Sequence, residues 1–198
     1  MSGYTDLQLD ALRELANIGS GTAGTALSGM IGRAIDVSVP QALALPLPDA
    51  VDAVGDPGQD VTGIVLPVIG DVEAIVLMLF DAADEACLCG LLGVEPAGEL
   101  GRSAMSEIGN ILSASYVRAF GAMTGLELEP EPEPPILLHD MRGAIVASAL
   151  APTSGGAGVA LLLDSDLRIE GEHCNFTFLL LPTAAGVDEL LLRLGVAG

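Results

Sequence analysis

Apolar residues return at Leu9, Leu12, Leu15 and Ile18 in the stretch TDLQLDALRELANI, a three-residue step that gathers them on one helical face. Thr5 followed by Gln8 gives a capping-box signature, so a helix is predicted to open there. AIDVSVPQALALPL and TGIVLPVIGDVEAIVLMLF predict strands, the second folded back at Gly70-Asp71, ahead of a helix beginning near Asp81. VEPAGEL reads as a connector. From Gly101 the order starts again with a long helical pattern, SAMSEIGNILSASYVRAFGAMTG. The acidic, proline-rich LELEPEPEPP then predicts an extended, solvated turn. ILLHDMRGAIVASALAP and GVALLLDSDLRIEGEHCNFTFLLLP predict further strands, and AAGVDELLLRLGVA a closing helix.

Shifting the first half by 93 positions lays Ala11 on Ala104, Glu14 on Glu107, Asn17 on Asn110, Ile18 on Ile111, Ala26 on Ala119 and Met30 on Met123. The chain therefore reads as one domain over residues 1–198, built from two repeats at about 5–98 and about 99–198. A duplication is also an internal control, because a feature present in both copies is a better candidate for a shared role than one present in a single copy.

Charge narrows the partners. There are 27 acidic residues against 7 basic ones, all arginine, for a net charge of −20. Such a surface repels nucleic acid and anionic lipid, and with 3% aromatic residues there is little to stack bases on. The lysine-free acidic composition fits a protein working in concentrated salt, where self-repulsion is screened; a GC-biased genome is the other account. Cys87, Cys89 and Cys174 are too few and too poorly spaced for a disulfide framework or a four-ligand zinc site, and read as buried free thiols. Neither Leu15–Gly32, filled with small polar residues, nor Gly143–Leu163, broken by APTSGG, reads as a membrane span. The start, MSGYTDLQLD, lacks the features of a signal peptide, so a cytoplasmic protein is expected.

The stretch NIGSGTAGTALSG holds the spacing Gly19-x-Gly21-x-x-Gly24 of a dinucleotide fingerprint. The second copy carries Leu112, Ala114 and Val117 in place of these glycines, and the preceding residues are helical where the fingerprint needs a strand. The glycines are read instead as places where another backbone packs close. Asp10, Glu14 and Asn17 form one polar ridge at helical spacing, and Ser103, Glu107 and Asn110 form its copy. A solvated face explains one Glu-x-x-Asn. Asn disfavours helix interiors by competing for backbone hydrogen bonds, so its retention beside the same acid in both copies points to use.

Among other chemistry-bearing residues, His139 and His173 read as ordinary surface or strand-end positions, Asp164 and Asp166 lack the rest of a calcium loop, and Ser154 lacks a triad.

The two ridges, the duplication and the element order over nearly the whole chain resemble the CheC family of chemotaxis phosphatases. Its motif is Asp or Ser, three residues, Glu, two residues, Asn, then twenty-two residues and Pro. Asp10, Glu14, Asn17 and Pro40 match throughout; Ser103, Glu107 and Asn110 match, but the last position holds Glu133, flanked by Pro132 and Pro134. The resemblance implies an α/β (α+β) pseudo-twofold fold, helices packed on a mainly antiparallel sheet. It implies hydrolysis of the phospho-aspartate of the response regulator CheY, with Asn17 and Asn110 orienting water and Glu14 and Glu107 pairing with a lysine of the regulator. Asp10, Ser103 and Pro40 would support the helices or docking. No metal or cofactor of its own is implied, Mg²⁺ being supplied by the regulator. CheD is an implied second partner, a monomer is expected, and a fused motor-binding domain of the FliY type is not. The rival reading is a non-catalytic adaptor binding CheD or the flagellar switch through the same fold.

Overall fold

The computed structural model describes residues 4–38, 40–130, 134–153 and 159–197. Helix α1 spans Asp6–Ile31 and opens on the capping box read from the sequence: Gln8 N–H donates to Thr5 Oγ1 at 3.3 Å, and Thr5 N–H donates to Gln8 Oε1 at 2.9 Å. The chain continues through β1 (Ile35–Val37), β2 (Gln41–Pro46), α2 (Leu47–Ala53), β3 (Asp60–Gly70), β4 (Ala74–Phe80) and α3 (Ala82–Leu91). The same order follows in α4 (Glu99–Thr124), β5 (Leu128–Pro130), β6 (Ile136–Met141), α5 (Arg142–Leu150), β7 (Val159–Ile169), β8 (Asn175–Pro182) and α6 (Ala184–Arg193). Helices α1 and α4 have the same length, 26 residues, and each ends on a left-handed glycine, Gly32 and Gly125.

Every strand pairing described is antiparallel, in the order β1-β7-β8-β4-β3-β5, with β2 also on β7 and β6 also on β3. The first two strands of each half thus pair with the long strand of the other half. Alternation along the central strands explains why AIVLMLF shows no polar face. Val76, Met78 and Phe80 enter a core beneath α1, α3, α4 and α6, while Leu77 and Leu79 enter a second core beneath α2 and α5. A sheet covered on both faces carries continuous apolar runs.

Three local expectations are corrected. ILLHDMRGAIVASALAP is not all strand: it ends β6 at Met141 and turns into α5, whose Ile145, Val146, Ala149 and Leu150 lie at three- and four-residue steps on the second core. The end of the AIDVSVPQALALPL stretch enters α2, with proline in its first turn. Leu128–Pro130 within LELEPEPEPP form β5 on β3 rather than a free turn; residues 131–133 of that segment lie outside the described ones. Cys87 is partly exposed, whereas Cys89 and Cys174 are buried.

The glycines of the opening helix divide. A Cβ on Gly19 would sit 2.8 Å from the Tyr116 ring and 2.9 Å from Phe120, so its absence lets α1 press onto α4. Gly24 lies similarly against Val37 at 3.0 Å, but Gly21 has nothing within 4 Å and is not a packing glycine.

A buried carboxyl in the sheet sets a pH dependence. Asp164 on β7 has a buried Oδ1 without a hydrogen-bond partner among the described residues, and burial, reinforced by Asp166, pushes its pKa up to about 6. A raised carboxyl pKa means the folded state holds a proton the unfolded chain has released. The penalty is absent below about pH 4, grows as pH rises toward 6, and is full above it. Asp164→Asn should therefore unfold later than the parent at pH 7.5, by about 2–3 kcal/mol on the scale of 1.36 kcal/mol per unit. Urea melts at pH 7.5 and pH 4 check it: the gain should vanish at the lower pH, and a gain equal at both would exclude the charge as its cause.

Candidate functional site

The two ridges are carried by corresponding helices at corresponding places. Glu14 and Glu107 are each the ninth helical residue and Asn17 and Asn110 each the twelfth, one turn further along. All four side chains are exposed, while Leu12, Leu15 and Ala16 around one pair, and Ile108, Gly109 and Leu112 around the other, are buried against the sheet. The helices are therefore fixed and the pairs project from them into solvent. Among the described residues, the carboxylates of Glu14 and Glu107 and the carboxamides of Asn17 and Asn110 hold no hydrogen bond or ion pair, which leaves each available to a partner. A carboxylate one helical turn before a carboxamide can take a cation while the amide both donates to and accepts from a water.

The supporting residues differ between the halves. Asp10 is exposed and its Oδ1 is bound by Arg13 of the same helix, whereas Ser103, also exposed, has no such partner among the described residues. Pro40 is buried immediately before β2. Its structural counterpart is Pro135, buried immediately before β6, because Gln41 at the start of β2 and Ile136 at the start of β6 occupy matching register positions on β7 and β3. Spacing alone does not reach Pro135, because the second copy is two residues longer in this segment. Glu133 and Pro132 lie outside the described residues, and Pro134 is exposed. Four prolines at 130, 132, 134 and 135 carry no signal for choosing among them; only the strand register does.

No group of three or more His, Cys, Asp or Glu gathers to hold a metal ion among the described residues, and no described helix is long and apolar enough to cross a membrane.

Comparison with known proteins agrees with this geometry. The model of the CheC-like family matches residues 7–43 and 100–137, each match running from one ridge helix into the strands that follow. The chain is 30% identical to the CheY-P phosphatase CheC of Bacillus subtilis (strain 168), over 99% of this chain and 98% of that one. In fold it is similar to FliY of Thermotoga maritima, at a TM-score of 0.78 and 18% identity over 99% of this chain and 100% of the other. It is also similar to the CheX–CheY–BeF3–Mg complex of Borrelia burgdorferi, at 0.55 and 14% over 88% and 99%. A mixed α/β fold with a mainly antiparallel sheet, shared with FliY and CheX, is the class that the architecture defines. Within it, the chain belongs to the CheC-like family.

Proposed function

We propose that this protein is a cytoplasmic phosphatase that hydrolyses the phospho-aspartate of the response regulator CheY. The observation that carries the reading is the Glu/Asn pair, present twice at matching helical positions, exposed and uncommitted. Kinship with a CheY-P phosphatase supports it, as does the occurrence of CheY in a complex with a CheX of similar fold.

An acyl phosphate is already activated, so the phosphatase needs to place a water rather than supply a nucleophile. Glu14 or Glu107 pairs with a lysine of the regulator and seats the helix; Asn17 or Asn110 then holds a water in line with the scissile bond. The water oxygen bonds to phosphorus, the bond to the aspartyl oxygen breaks with its electron pair staying on the aspartate carboxylate, and both of the water's protons leave on the released phosphate. Orientation of this kind contributes several kcal/mol through entropy already lost on binding, and a carboxamide does the same for the attacking water of GTPases. The regulator brings its own Mg²⁺, which offsets the charge on the phosphoryl oxygens. Asp10 and Ser103 support the start of each ridge, and Pro40 with Pro135 sets the strand entry below it. The protein acts as a monomer of two intertwined repeats, and CheD is its second partner.

The direct test is phosphate loss from phospho-CheY with and without the protein, in buffered KCl. A rate equal to unassisted decay, alongside tight binding of CheD, would replace the phosphatase with an adaptor. Docking is tested separately: Glu14→Lys with Glu107→Lys sets like charge against the regulator's lysine and should weaken binding of beryllofluoride-treated CheY by about tenfold or more. Unchanged affinity in calorimetry would remove the docking role.

A further inference from the structure

The two halves differ at a cleft of about 430 Å³ between α3, β3, β6 and the start of α4. Glu85, Thr62, His139 and Arg102 line it, with Pro96, Ala97 and Leu137 as apolar walls. Thr62 Oγ1 donates to Glu85 Oε2 at 2.6 Å and lies 3.3 Å from His139 Nδ1. A hydroxyl has one proton; with Thr62 donating it to the carboxylate, its oxygen accepts from His139 Nδ1–H, and Nε2 is the ring nitrogen left for another partner. Arg102 is held by Nη1 donating to Ala97 O at 3.1 Å. Among the described residues Arg102 and Glu85 form no ion pair with each other, although they line one cleft. A fixed cation and a fixed anion thus face a shared space without meeting.

The corresponding place in the other half is apolar. Arg102, the fourth residue of α4, corresponds to Leu9, the fourth of α1, and Glu85, the fourth of α3, corresponds to Val187 in α6. His139 faces Thr62 in the β6–β3 register at the step where Ala44 faces Leu161 in β2–β7. Ala97, just before the α4 cap, corresponds to Tyr4, just before the α1 cap. Tyr4, Leu9 and Ala44 pack on the core beside buried Leu161 and Val187. Four apolar positions have become Arg, Glu, His and Thr in one copy only, and the aromatic ring that covers the other copy has become Ala97.

We propose that this cleft binds a zwitterionic α-amino acid with an apolar side chain: carboxylate on Arg102, ammonium on Glu85 with His139 Nε2 beside it, and side chain against Pro96 and Leu137. A zwitterion engages both fixed charges and brings no net charge to a protein at −20, whereas a simple anion meets that field. The site is separate from the Glu/Asn ridges, so it stands or falls independently of the phosphatase reading.

The test is calorimetric titration of the full chain with L-leucine, isocaproate and isoamylamine, read without any phosphatase assay. Leucine should bind saturably and each half-ligand at least about tenfold more weakly, since each lacks one charge-assisted contact. Arg102→Gln and Glu85→Gln should each weaken leucine by a similar factor, and Ala97→Tyr should abolish binding by covering the cleft while leaving both charges in place. Circular dichroism melts establish that the variants are folded, and should one of them fail to fold the remaining two decide. Absence of saturable leucine binding to the parent, half-ligands as tight as leucine, or folded variants with unchanged affinity would each overturn the assignment.

Discussion

Replacing both carboxamides, Asn17→Ala with Asn110→Ala, should return the decay of phospho-CheY to its rate without the protein. Water orientation is the only chemical help the ridges supply in this mechanism, and loss of positioning is worth about 100-fold or more in rate. The fold should survive, since both side chains are exposed and make no hydrogen bond among the described residues. Stability should even rise by a few tenths of a kcal/mol per site, because Ala is a better helix former than Asn. Asn→Asp at both positions is the sharper control: it keeps shape and acceptor capacity but cannot donate to the water, and should lose activity to the same extent. Each single variant should retain the rate of the other site, so the pair of singles measures how the two ridges share the work. Stimulated decay surviving in the double alanine variant would overturn the role of the carboxamides, and with the melt unchanged it could not be blamed on misfolding.

The ridge helices were legible in the sequence for physical reasons that act locally. The periodic leucines and the Thr5–Gln8 box define α1 without help from the rest of the fold, and the copy 93 residues later places α4 and its Glu107–Asn110 pair. Legibility failed where tertiary burial decides. GAIVASAL is apolar nearly throughout and contains Ile145-Val146, so as an isolated run it suits strand as well as helix; contact with a second core on the far face of the sheet settles it as α5. The exchange of strands between halves leaves no local trace either, since β1 and β2 find their partner more than a hundred residues away in β7. Pro135 is hidden for the same reason: its role depends on register against β3, which a count of residues from Asn110 does not contain. The cleft at Arg102 depends on four separate elements, and its His139 looked ordinary because its neighbours Thr62 and Glu85 are remote in sequence.

That exchange of strands is also where a single residue should matter most for stability. Gly70 ends β3 at φ +122°, a conformation side chains rarely adopt, and a Cβ there would lie 2.1 Å from the carbonyl oxygen of Glu127. That oxygen is not free to move, because it accepts from Asp71 N–H at 2.9 Å while Glu127 N–H donates to Asp71 Oδ2 at 2.9 Å. The backbone link recurs in the other half, where Glu170 N–H donates to Ala34 O at 3.0 Å, but there the position before it is Ile169 and its φ is not positive. The same connection is therefore made in two backbone conformations, only one of which excludes a side chain. Gly70→Ala should cost about 3–5 kcal/mol, combining backbone strain with an overlap that only main-chain movement relieves. For a chain of this size that lowers Tm by about 10 °C, whereas Gly21→Ala, at an open helical position, should raise it slightly. The damage should be directional. Asp71 and Glu127 tie β3 to the chain that leaves α4 for β5, so hydrogen exchange in the Gly70 variant should quicken first in the last turns of α4 and in β5, ahead of α1. Equal loosening of both ridge helices would mean that the joint is one contact among many. Selective loosening would mean that it anchors the C-terminal end of the helix that carries the second Glu/Asn pair.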